Sequence, residues 1–309
     1  MLLLSHILGK EDDNMNKIVI TTDSGIDPIH EETMIPGQIV ENEIKSYQDM
    51  KEITPEEILE KIKTGSNFKT SSPMIGDYEK MFIPYLEDQY DIIHLSMSSG
   101  ISEGSVNSAN LMATIFNDEY ENKIHVIDTL NGATGGTLLE QFANDLVKDG
   151  YQTSEIVEKL QQVKTKLQTS FYVPNPEGFI RSGRNKSEMC FKDKALLMGV
   201  KTALVTGIKF RVDFNPEGNL YTKGFIRSQT KSGMLKMVKQ IIDEKNKELY
   251  DSKYVVVGTL NENQVKMEEI ISYLNQLNYF DHVIRQDING VVAAYGSDDL
   301  CGISLVKKM

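Results

Sequence analysis

The residues of this 309-residue chain best suited to chemistry are hydroxyls. Six serines fall between Ser96 and Ser108 in the run HLSMSSGISEGSVNSA (94–109), and Lys69, Thr70, Ser71, Ser72 and Pro73 form a second polar cluster upstream. A serine nucleophile needs a base to take its proton and a strained turn to expose it, and neither run has a G-x-S-x-G elbow. His94 is the nearest imidazole, but it sits on an apolar strand, which favours a satisfied structural histidine over a catalytic base. GATGGT (132–137) lacks the G-K-[ST] ending of a phosphate loop, and TDSGID (22–27) lacks a G-x-G-x-x-G pattern, so nucleotide binding has no support. What remains is a loop and helix start rich in hydroxyls and free backbone N–H groups, an arrangement that receives an anion without transforming it. Ser98, Ser99 and Gly100 form that start. The plainer alternative is that Ser98 or Ser102 only caps a helix over 103–116. If the 69–73 turn faces the same crevice, two hydroxyl loops converge there on a carboxylate or a phosphate.

The elements that must position these loops read as an α/β chain. KIVITTDS (17–24), DIIHLSM (91–97) and KIHVIDT (123–129) are apolar strands, and the last two run into Gly-rich turns followed by helical patterns. TPEEILEKIKTG (54–65) carries Thr54, Pro55 and Glu57 at the N-cap, N1 and N3 positions of a helix ending at Gly65. Strand, turn and helix in alternation predict a parallel sheet with binding loops at the carboxyl ends of its strands, over a first domain of residues 15–170. Beyond it the rhythm changes. ALVTGIKFRVDF (203–214) and NLYTKGFIR (219–227) flank a turn at Asn215, Pro216, Glu217 and Gly218 and predict a hairpin. A helix from about Gln229 to Leu249, a strand at 253–259, a helix across 262–277 and three short strands ending at 302–306 complete a mixed α+β domain over 171–309.

Composition narrows the function classes. Apolar residues make up 40% and charged residues 25%, as in ordinary globular proteins, and no apolar run is long enough to span a bilayer. The opening MLLLSHIL has no basic residue before it and no cleavage site, which reads as a disordered extension over 1–14 rather than a leader. Cys190 and Cys301 suit neither a disulfide framework nor a zinc site, and a reducing cytoplasm is the simpler location. A formal charge of −12 opposes nucleic-acid binding.

The order TDSGID (22–27), ITPEEIL (53–59), KTSSP (69–73), SSGISEGSVNSA (98–109), HVIDT (125–129), FIRSGR (179–184) and GVVAAYG (290–296) resembles the DegV family over nearly the whole chain. The resemblance implies a two-domain α/β fold with a parallel-sheet N-terminal domain and a mixed α+β C-terminal domain holding a long-chain fatty acid. It implies a binding subunit without its own catalytic centre or cofactor, which presents the acyl carboxylate to a separate ATP-binding kinase subunit for acyl-phosphate formation. Thr70 and Ser98 or Ser99 match the family's carboxylate-holding residues, with Ser71 and Gly100 beside them. A family His in H-T-G-P-G is here YGSDD (295–299), so Tyr295 stands where the His is expected, and Asp298 and Asp299 add negative charge. Tyr295 offers a hydrogen bond but no positive charge near neutrality.

At roughly 0.8 kcal/mol per buried methylene, a tail of about fifteen contributes on the order of 12 kcal/mol before ordering costs, against about 1 to 3 kcal/mol per hydroxyl hydrogen bond. The tail would therefore set affinity and the hydroxyls orientation. Its lining is expected among the Ile, Val and Met of 196–208 and 291–305. Arg181, Arg184 and Arg227, with Lys231, form a basic group suited to docking an acidic partner, and transient membrane-surface contact fits a lipid carrier. The alternatives are a binder of another amphipathic anion and an enzyme on a small phosphorylated substrate.

Overall fold

A computed structural model describes residues 17–175, 208–227, 233–260, 264–296 and 299–308. The expected N-terminal extension, Cys190, Arg181, Arg184, Lys231, Asp298 and the expected lining at 196–207 lie outside these residues. The first sheet is parallel throughout, in the order β2-β1-β6-β7, from β1 (Lys17–Asp23), β2 (Met34–Ile35), β6 (Tyr90–Ser96) and β7 (Ile124–Asp128). Helices α2 (Ile75–Glu87), α3 (Ser99–Glu119), α4 (Thr134–Lys148) and α5 (Thr153–Lys164) accompany it. Six of the seven residues of β6 are buried, as continuous apolar strands in covered parallel sheets must be. Tyr78, Phe82, Ile92 and Met112 pack in one cluster, and Ile20, Ile93, Leu139 and Leu160 in another.

The second sheet has the order β10-β9-β8-β13-β11-β12, built from β8 (Leu167–Val173), β9 (Ile208–Phe214), β10 (Leu220–Arg227), β11 (Tyr254–Thr259), β12 (His282–Asp287) and β13 (Cys301–Val306). All its pairings are antiparallel except β11 with β12. Met237, Val238, Ile270, Leu274 and Ile303 form the core between it and helices α6 (Gly233–Ile241) and α7 (Gln264–Gln276). The hairpin of β9 and β10 stands as expected, its turn closed by the Gly218 N–H donating to Asn215 O at 3.0 Å. Helix α1 (Pro55–Lys63) has the reciprocal Thr54–Glu57 cap that its sequence predicts.

Two expectations change. The helix drawn to Leu249 stops at Ile241, because Asp243 Oδ1 accepts from the Lys245 and Asn246 N–H groups while Asn246 Oδ1 accepts from the Asp243 N–H. These side chains satisfy the backbone locally and compete with helix continuation. The three short final strands are two, β12 and β13: GVVA forms a one-turn helix, α8 (Gly290–Ala293), because Asn289 caps it by accepting from the Val292 N–H. Residues 28–52 also contain β3 (Gln38–Glu41) and β4 (Lys45–Gln48), which with β5 (Phe68–Ser71) make a small antiparallel sheet in the order β4-β3-β5. Asn42 and Glu43 turn that hairpin with positive φ. Among the described residues no helix is long and apolar enough to cross a membrane.

Candidate functional site

The small sheet and α8 bring two of the expected site residues together. Thr70 lies on β5, paired with Ile39 of β3, and Tyr295 follows α8. The Tyr295 hydroxyl accepts from the Thr70 backbone N–H at 2.9 Å and shares a second hydrogen bond of 2.9 Å with Thr70 Oγ1. Both residues are 9% exposed. Beside them a crevice with free volume of about 10 Å³, room for about one water, is lined by Asp23, Ser24, Thr70, Ser71, Ser102, Ser105 and Val291 among others. Ser71 is exposed at its edge, and Ser102 Oγ lies 3.2 Å from Ser72 Oγ and 2.9 Å from Ser105 Oγ.

The S-S-G start of α3 is used differently. Ser98 is fully buried; its hydroxyl donates to Gly218 O at 2.7 Å, across to the β9–β10 turn, and accepts from the Gly100 N–H at 3.2 Å. The Ser99 N–H donates to Asp128 Oδ1 at 3.1 Å. Ser98 therefore caps a helix that begins at Ser99 and breaks at Ser102, where the backbone leaves helical geometry. Of the expected basic group, Arg227 is the one described residue, exposed at the end of β10. Asp299 forms an ion pair with Lys266, which neutralises its charge. Of the expected lining, Val291 and Ile303 are packed as ordinary core.

His94 is buried between Tyr78 and Phe82, each ring 5.6 Å away edge-on, with Nδ1 3.0 Å from Thr21 Oγ1. Burial pulls its pKa down to about 3, so it is a neutral structural group. GATGGT is the start of α4, where Thr134 Oγ1 meets Ser304 Oγ at 2.8 Å and Ser304 meets Thr169 Oγ1 at 2.9 Å. That loop stitches the two sheets together.

The residues that sequence reasoning passed over are buried acids. Asp23, at the end of β1, accepts from the Gly25 N–H, the Ser96 hydroxyl and the Met97 N–H, at 3.0, 2.9 and 2.9 Å. It holds the strand end that leads to Ser98 while burial raises its pKa. Asp27 Oδ1 accepts from the Asn289 N–H at 3.0 Å, and Asp49 Oδ2 from the Val291 N–H at 3.1 Å. Burial raises both to about 7. The one local signal, for Asp23 and Asp27, was position, since TDSGID places one acid at the end of a buried strand and the other four residues on.

The crevice turns hydroxyl groups toward a space for about one water, and the described residues contain no cluster able to hold a metal ion. The family profile for an uncharacterised protein, the DegV family, matches residues 17–308. A DegV domain-containing protein of Staphylococcus aureus is 27% identical over 307 residues, covering 95% of this chain and all of that protein. A fatty acid-binding protein of Thermotoga maritima is 32% identical over 157 residues, 48% of this chain and 52% of that protein. Among solved structures, a DegV family protein of Eubacterium eligens loaded with heptadecanoic acid superposes with a TM-score of 0.79 at 17% identity, covering 94% of this chain and all of that one. The fatty acid kinase (Fak) B3 protein of Streptococcus pneumoniae, loaded with linoleic acid, gives 0.77 at 19% identity, again over 94% of this chain and all of that one. With the profile spanning nearly its whole length, the chain belongs to the DegV family.

Proposed function

We propose that this protein binds a long-chain fatty acid, buries the tail in the second domain, and presents the carboxylate at the Thr70–Tyr295 junction to a separate ATP-binding kinase subunit. The observation that carries the reading is the pair of hydroxyls on Thr70 and Tyr295, drawn from opposite ends of the chain into one buried contact beside a serine-lined crevice. One O–H of the pair can turn to a carboxylate oxygen while the other bridges the two side chains, and the Thr70 N–H holds the Tyr295 oxygen in place. Ser71, at the crevice edge, and the Ser98–Gly100 start are assigned to the same head-group region, with Ser98 acting through the turn it fastens. Tyr295 takes the place of the family's His, so the head group would be held by neutral donors alone. Phosphoryl transfer is assigned to the partner, docked through Arg181, Arg184 and Arg227.

Native mass spectrometry of the purified protein, with lipid extraction, tests the binding step. A co-purifying C16–C18 fatty acid is the expected result, and phosphorylation of that acid when ATP and a fatty acid kinase subunit are added extends it to the partner role. Absence of bound lipid together with no affinity for oleic acid in titration would refute the proposal and favour another amphipathic anion.

A further inference from the structure

Tyr295 is carried by a short segment whose seating on the first domain depends on two buried carboxylates. Asp27 holds the Asn289 N–H and Asp49 the Val291 N–H, while the Asn289 side-chain amide donates to Ser24 O and to Ile26 O. The fit leaves no slack: a Cβ on Gly290 would stand 2.3 Å from Asp49 Oδ1 and 2.9 Å from both Ile39 Cδ1 and Ile58 Cδ1. From there the path to the phenol is one rigid turn, with the Ala293 N–H donating to Asn289 O, Ala294 to Gly290 O and Tyr295 to Val292 O. We infer that Asp27 and Asp49 are positioning residues that seat Asn289–Val291 on the first domain and thereby set where the Tyr295 hydroxyl stands over Thr70.

Their chemistry makes that seating sensitive to pH. The second oxygen of each, Asp27 Oδ2 and Asp49 Oδ1, is buried without a hydrogen-bond partner among the described residues. The charged groups facing Asp27 are Asp49 and Asp287, both carboxylates, and Asp49 is surrounded by the N–H groups of Met50, Gly290 and Val291 and by Ser24. Burial therefore dominates: both acids titrate near pH 7 when the segment is seated and fall back toward the ordinary carboxylate range when it lifts and water reaches them. The seated state holds a proton that the lifted state releases, so seating weakens as pH rises toward 7. By linkage each acid changes the seated-to-lifted ratio by about tenfold between pH 6 and pH 8, most of it below pH 7. The segment is firm in mild acid and looser in mild base.

Hydrogen exchange of the Asn289–Gly296 amides in the intact protein, corrected for intrinsic rates, tests this from pH 6 to 8. In the wild type, opening should increase about tenfold or more over that range. Asp27→Asn and Asp49→Asn, which keep the shape and cannot ionise, should each remove about one tenfold step of that change, and the double variant should flatten the profile. Glu140→Gln serves as the control: Glu140 is also buried and raised to about 7, but it accepts from the Ile29 N–H and from no residue of 289–296, so the variant should keep the wild-type profile there. A flat wild-type profile overturns the inference without any variant, as does a pH dependence that survives both Asn substitutions or disappears in Glu140→Gln. The same series titrated with oleic acid rests on the proposed function, and affinity should fall with pH in the wild type more steeply than in Asp49→Asn. If oleic acid does not bind at all, that reading fails while the exchange measurement still decides this one.

Discussion

Removing only the phenol oxygen of Tyr295, by Tyr295→Phe, isolates the contact on which the site is built. The oxygen makes two hydrogen bonds of 2.9 Å to Thr70, both in a setting 9% exposed, while the ring keeps its packing. The threonine hydroxyl can turn to another acceptor, but the backbone N–H cannot and loses this one. Leaving a buried donor so costs about 1 to 3 kcal/mol, which should appear in urea unfolding as a lower midpoint with an unchanged slope. If the phenol also donates to a bound carboxylate, oleic acid affinity should fall as well, by roughly 5- to 150-fold for a loss of the same size. The two readouts separate the roles. A less stable variant that binds oleic acid as the wild type does refutes the ligand role of Tyr295, and a variant unchanged in both refutes the structural account of the contact. Tyr295→His, which restores the family's side chain, should regain the lost affinity if the phenol acts as its substitute.

Ser98→Ala removes the bond to Gly218 O and the acceptor of the Gly100 N–H, and should lower stability by about 1 to 3 kcal/mol in chemical denaturation. Gly218→Ala should destabilise by at least 1 kcal/mol or so, because Gly218 has φ of +75° and a Cβ there would meet Ser98 Oγ at 2.0 Å. Combined with Ser98→Ala it should cost less than the sum of the two, since the colliding oxygen is gone; strict additivity in the double-mutant cycle would refute the contact. Stability should also rise as pH falls from 8 toward about 5.5. Asp27, Asp49 and Glu140 sit near 7 when folded against 3.8 to 4.5 unfolded, so the folded state takes up protons first, at about 1.4 kcal/mol per group per pH unit. His94, held near 3 against 6.5, opposes this below pH 6.5 but is one group against three. A melting temperature that falls steadily from pH 8 to 5.5 would contradict this balance.

Much of the frame was legible because its signals are local. The Thr54–Glu57 cap, the Asn215–Gly218 turn and the apolar runs at 17–24, 91–97 and 123–129 each lie within a few residues of the partners that make them. Elements decided by side-chain competition were not. Asp243 and Asn246 end α6 by binding each other's backbone, and a helical pattern that runs through them carries no mark of it. The resemblance set Thr70 and Tyr295 around one ligand, but their direct contact, across 225 residues, left no mark in the spacing. A serine at a helix start reads the same whether its partner is a ligand or, as for Ser98, a carbonyl 120 residues away. The buried acids were missed for a related reason: Asp and Glu default to the surface, and only packing against α8 and α4 shows otherwise.

These long-range polar contacts share a location, the seam between the two large sheets. Each sheet has its own apolar clusters, anchored by residues such as Phe82 and Ile92 on one side and Met237 and Ile303 on the other. The seam between them is fastened by hydrogen bonds from Ser98 to Gly218, from Thr134 to Ser304, and from Asn289 and Val291 to Asp27 and Asp49. Apolar burial is non-directional and tolerates sliding, whereas a hydrogen bond weakens steeply with distance and angle. Folding free energy therefore resides mainly in the cores, and the relative placement of Thr70 and Tyr295 resides in the seam. A change that leaves both cores intact but ionises or removes one seam group should therefore shift ligand affinity together with stability.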